Sequence, residues 1–136
     1  MMDATRTFTT LSWITLPTVM YGGYALRGLL ERGDGLTPFQ QTYVRAGHAH
    51  AGVLLALSLP YYRALERGNL SAPARWAGGG LDVGGVLAHS GGFFLHLAVG
   101  KPNQRSIGTT VTTAAALAIA AAALLAASAS AREQTP

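Results

Sequence analysis

An all-α integral membrane protein, built as an up-down-up-down bundle of four helices, is the fold class this sequence predicts. Three observations predict it. Only 12 % of the 136 residues are charged, against roughly 25 % in an ordinary soluble domain. Apolar residues make up 49 % of the chain and gather in four runs of the length, about 20 residues, that a membrane helix needs. The connectors between the runs are short, which favours antiparallel neighbours. The mean hydropathy of +0.27 excludes a disordered chain. The sequence contains no cysteine, which excludes disulfides, iron–sulfur clusters, thiolate metal sites and a cysteine nucleophile. The net charge of +4 comes from ten basic residues standing singly between apolar runs. That pattern flanks membrane spans and gives no basic patch for nucleic acid.

The first span is Thr10–Leu30, uncharged until Arg27, with Trp13, Tyr21 and Tyr24 suited to interfaces and Pro17 inside it predicting a kink. It lacks the lysine and the small-residue cleavage site of a signal peptide. The second span is Phe39–Tyr62. Thr37-Pro38 opens it as N-cap and first helical residue, and Pro60 is expected to end it. The third is Ala77–Val99, carrying Asp82, His89, His96 and seven glycines from Gly78 to Gly92, and stopped by Lys101-Pro102-Asn103. The fourth is Ile107–Ala131, threonine-rich at its start, then nearly pure Ala, Leu and Ile, and ended by Arg132-Glu133-Gln134. Together they make one domain over residues 1–136. Arg6, Arg63, Arg67, Arg75 and Arg132 lie at one side of these spans, and Arg27, Arg32, Arg45, Lys101 and Arg105 at or near the other. Counted outside the spans, where Arg27 and Arg45 drop out, the bias toward the first side puts both termini in the cytoplasm, in a bacterial inner membrane.

All four histidines fall inside spans, where an ionisable group is costly and by default a functional candidate. At 1.5 Å of rise per residue, His50 lies about 16 Å from the start of its span and His89 about 15 Å from the end of the next. In antiparallel helices these two share a level near mid-membrane, with His48 and His96 shallower. His48 and His50 are about 200° apart around their helix and face opposite ways; His89 and His96 share a face about 10.5 Å apart. Each therefore needs a partner from another helix. Neutral imidazole holds haem iron, copper or zinc, and the scarcity of carboxylates argues against an oxygen-ligated Mg²⁺ or Ca²⁺ site. The bland alternatives are histidines acting as interhelical hydrogen-bonders, Arg45 snorkelling to headgroups rather than pairing with a haem propionate, and Asp82 pairing with Arg75 at the interface.

The stretch Tyr43-Val44-Arg45-Ala46-Gly47-His48-Ala49-His50-Ala51-Gly52-Val53-Leu54 resembles the haem-binding helix of heme–copper oxidase catalytic subunits. There an HxH pair ligates two haems, one on each side of the helix. Those subunits are rings of three four-helix units, and this chain resembles one unit. The resemblance implies haem b, with His48 and His50 as axial ligands. His89 or His96 lies on the helix that supplies part of the copper site, and the ring becomes a homotrimer. The adjacent histidine pair and the tyrosine-linked histidine of the oxidases have no counterpart here. The implied role is accordingly electron transfer, to a partner still to be identified, or redox or gas sensing. The alternatives are a copper- or zinc-binding membrane protein and a structural subunit whose contacts are membrane lipids alone.

Overall fold

The computed structural model describes residues 3–33 and 35–133; Asp34 and Gln134 lie outside them, and the side chains of Arg132 and Glu133 are not described. Among the described residues there are four α-helices and no strand: α1 Ala4–Arg32, α2 Pro38–Arg67, α3 Ala72–Val99 and α4 Ile107–Glu133. Each is longer than the apolar run that marks it, because polar caps lie beyond the runs. Asp3 caps α1 by accepting from the Thr5 N–H. Thr37 and Gln40 form a reciprocal capping box at the start of α2. Ser71 caps α3. Gly33 closes α1 in the left-handed region, φ 66°, which a residue with a Cβ enters only at a cost.

Pro60 does not end α2, which continues to Arg67. Proline inside a helix loses one hydrogen bond and costs about 3 kcal/mol. The residues beyond it offset that cost: Tyr62 is 1 % exposed and Leu65 0 %, and both anchor the core cluster with Phe8, Val83 and Leu125 packed round them. α1 is likewise continuous through Pro17.

α2 and α3 form the central pair. α1 packs on both from one side and α4 on both from the other, and among the described residues α1 and α4 do not meet. The α3–α4 contact runs along Gly78, Gly85 and Gly92, one every seven residues. A Cβ at Gly78 would stand 2.9 Å from Leu125, one at Gly85 2.7 Å from Ile119, and one at Gly92 would run into Thr112. Small residues let two backbones approach this closely. On the other side, Phe8 of α1 fills the space over Gly79 and lies against Tyr62 and Trp76.

Several polar side chains are buried within the bundle, and many large apolar ones are exposed on it. Ser12, Ser58, Asp82, Ser90 and His96 are buried, whereas Ile14, Met20, Val53, Leu87, Leu117 and Leu124 are exposed. The Tyr62 hydroxyl donates to Asp82 Oδ2 at 2.6 Å, with the Ser12 and Ser58 hydroxyls in reach of the same phenol. This network ties α1, α2 and α3 together. Asp82 is therefore not the partner of Arg75. It lies nearly three turns inside α3, and the phenol supplies the donor it needs there. Among the described residues, one segment, Ile107–Ala131, is long and apolar enough by itself to cross a membrane. The glycines, histidines and arginines of the other three helices dilute their apolarity below that mark.

The glycine seam generates a first prediction. Gly92→Leu overpacks the α3–α4 contact and is expected to destabilise by about 1–3 kcal/mol, lowering the thermal midpoint in detergent. Gly91→Leu points into open space and is expected to leave the midpoint within a degree or two. Equal effects at the two sites would refute the seam.

Candidate metal centre

The structure brings two of the four candidate histidines together. The rings of His50 on α2 and His89 on α3 lie with centroids 5.0 Å apart, and Phe93 packs against both at 4.8 and 5.4 Å. His50 is exposed and His89 half-buried. His50 Nδ1 donates to the Ala46 carbonyl at 2.8 Å, one turn back on its own helix. His89 Nδ1 donates to the Thr112 carbonyl of α4 at 3.0 Å. The Thr112 hydroxyl returns a bond to the His89 carbonyl at 3.3 Å, so the two helices clasp at this level. A carbonyl can only accept, so each Nδ1 carries a proton. In a neutral ring that leaves Nε2 with its lone pair free for a metal. A backbone carbonyl fixing the tautomer and tilt of a ring is the usual support of a metal-bound histidine.

Spacing decides what such a pair can hold. A metal–nitrogen bond of about 2.0–2.1 Å puts each ring centroid about 3.2 Å from the ion. Two rings in line across one haem iron then stand about 6.4 Å apart, and two at a tetrahedral angle about 5.2 Å. The observed 5.0 Å matches the second figure. The separation is nearer that of two rings sharing one small ion than that of two rings on opposite sides of a haem. Two protein nitrogens leave coordination positions open. No group of three or more His, Cys, Asp or Glu that could enclose an ion occurs among the described residues.

The other two histidines take different places, and they do not meet each other. His48 faces α1, where a Cβ at Gly23 would stand 2.7 Å from its Nε2. The ring sits in the notch that Gly22 and Gly23 leave, and locks α1 onto α2. This is the opposite face from His50, as their separation around the helix requires. His96 is 1 % exposed. Its Nδ1 lies 2.6 Å from the Ser106 hydroxyl, which accepts from the Gly108 N–H at 3.1 Å and so has its own proton to donate. Phe39 and Tyr43 close over the ring edge-on, at 5.3 and 4.4 Å. His96 thus pins the turn between α3 and α4 to the start of α2. Arg45 is exposed near the start of α2, without an ion pair among the described residues.

Sequence reasoning missed Thr112, Ser106 and Phe93. The seven-residue spacing of Gly78, Gly85 and Gly92 is the signal that could have found Thr112, since it marks the face of α3 on which α4 must lie. No protein-family model, curated protein or solved structure matches the chain.

The division of labour is measurable. His96→Ala removes a buried ring and its hydrogen bond and is expected to destabilise by about 2–4 kcal/mol. His50→Ala, at an exposed position, is expected to change stability by less than about 0.5 kcal/mol. Thermal unfolding in detergent checks both, and a reversed order would contradict the assignment of His96 to structure.

Proposed function

We propose that the protein is a multi-pass membrane protein of the bacterial inner membrane that holds a haem b through histidine and serves in electron transfer or in redox or gas sensing. The observation that carries the metal reading is the pair of Nδ1-anchored rings with bare Nε2 atoms, His50 and His89, at one level of the bundle. The membrane reading is supported by the buried polar and exposed large apolar side chains and by the uncharged stretches. No charge lies between Arg6 and Arg27, between Arg45 and Arg63, or between Asp82 and Lys101. Asp82, the one carboxylate within the third span, has its lone pair satisfied by Tyr62. Snorkelling basic residues at helix ends complete the pattern.

In the haem reading His50 would hold the iron, since its ring is the exposed one of the pair. A haem supplies a one-electron couple and, with a single protein ligand, an open position for a diatomic gas. The chain's own contribution is to fix the His50 ring through Ala46 and to keep His89 and Phe93 beside it. Arg45 lies five residues back, about 140° round the helix and on the His48 side, and is left to snorkel. Because His50 is exposed, the site is open on one side. A second copy closes it, which fits a homo-oligomer, and the resemblance to one unit of a three-unit ring favours a trimer. The 5.0 Å spacing favours a second reading, a copper or zinc ion bridging His50 and His89, completed by ligands from outside the protomer.

The absorption spectrum of the purified protein separates the two. A Soret band with sharp reduced α and β bands is expected for haem b; stoichiometric copper or zinc without such bands selects the second reading. His50→Ala is expected to lose the metal in either case, and His89→Ala in the second reading; unchanged retention in His50→Ala would overturn the site. Reporter fusions at the C-terminus are expected to be active in the cytoplasm, and activity only in the periplasm would reverse the orientation.

A further inference from the structure

Beside the histidines, a second feature calls for a ligand. A groove of about 510 Å³ runs between α1, α2 and α3. Its walls are apolar and include Leu55, Val83 and Val86. Two of its rim residues, Leu11 and Leu87, are 48 % and 64 % exposed, so it opens sideways between α1 and α3 and not toward either end of the bundle. Its floor carries Ser90, which is 6 % exposed and whose hydroxyl has no hydrogen-bond partner. An unpaired buried hydroxyl costs about 1–3 kcal/mol, and in a packed interior such a group almost always finds a partner. Farther along the floor lies Tyr62, its hydroxyl committed to Asp82. Ser90 is thus an unspent donor, in an apolar slot, at a wall that faces the surrounding medium.

We infer that the groove is a binding site for a lipid-soluble quinone, whose flat ring and hydrocarbon tail fill the slot while a ring carbonyl accepts the Ser90 hydroxyl proton. A quinone fits what the groove offers in three ways. It reaches a lateral opening through the lipid. Its ring is apolar on both faces. Its polar atoms are acceptors, which is what an unpaired hydroxyl donor lacks. A saturated acyl chain fits the walls but leaves Ser90 unpaired, and a charged headgroup finds no counter-ion among the lining residues. The sideways opening reaches a hydrophobic ligand only if the bundle lies in a bilayer, so the inference rests on the membrane part of the reading above. It does not rest on the metal. Ser90 follows His89 in sequence, which places the groove beside the level of the paired histidines.

The test is equilibrium binding of a labelled short-tailed benzoquinone to the full chain in phosphatidylcholine nanodiscs, counted above empty discs. One site per protomer is expected. Ser90→Ala is expected to weaken binding about five- to tenfold with no loss of thermal stability, since it removes an unpaired group. Gly91→Phe places a ring in the groove from a position with open space around it and is expected to abolish binding. No saturable binding to the wild-type chain, or equal affinity in all three proteins, overturns the inference. So does equal competition by a saturated alcohol of the same length, which assigns the groove to a lipid chain. The titration is run with and without bound metal. Loss of the metal reading then appears in the spectrum and loss of the quinone site in the binding curve.

Discussion

The close approach of α3 and α4 is the constraint on which the rest of the arrangement hangs. Gly78, Gly85 and Gly92 present only hydrogen to α4, so the two backbones meet. At that distance the Thr112 carbonyl reaches His89 Nδ1 and the Thr112 hydroxyl reaches back to the His89 carbonyl. The orientation of the His89 ring is therefore a product of helix packing about four turns long. A wider spacing would release the ring, and with it the pairing to His50. The same proximity brings Ser106 to His96 and fixes the turn that leads into α4. One row of absent side chains thus sets both the candidate metal centre and the closure of the bundle.

Polar groups hold the opposite side. Between apolar helices in lipid there is no hydrophobic force to draw them together, and packing with interhelical hydrogen bonds takes over. Tyr62, Asp82, Ser12 and Ser58 bring one group each, or two, from three helices to a single point, and Phe8 covers it. The bundle is therefore tight at this end and along the α3–α4 seam. It is loose where α1 and α3 part, and there the groove with Ser90 opens.

Much of this was legible in the sequence, and the limits of legibility have physical causes. The helix count followed from four apolar runs and three short connectors. The start of α2 followed from Thr37-Pro38, because a cap is a local matter. The shared level of His50 and His89 followed from helix rise and antiparallel order, and their ring contact agrees with that arithmetic. What the sequence could not yield depends on side chains distant along the chain. Pro60 reads as a stop by local rules, but burial of Tyr62 and Leu65 overrides it. Asp82 reads as a partner of Arg75, seven residues away, but Tyr62 from the neighbouring helix is nearer in space. His48 and His96 carry the same chemistry as the other two histidines, and only their neighbours, a glycine notch and a serine, give them structural work.

The unequal apolarity of the four helices bears on how such a chain is made. The segment long and apolar enough to enter lipid by itself is α4, the last of the four helices to leave the ribosome. Proline, glycine and buried hydroxyls weaken the three helices before it as separate inserts. On the membrane reading, α1, α2 and α3 would commit to the bilayer as a set once the Tyr62–Asp82 contact can form, while α4 would follow and clip onto the glycine row. Biogenesis on that reading is cooperative in its first three-quarters and autonomous in its last.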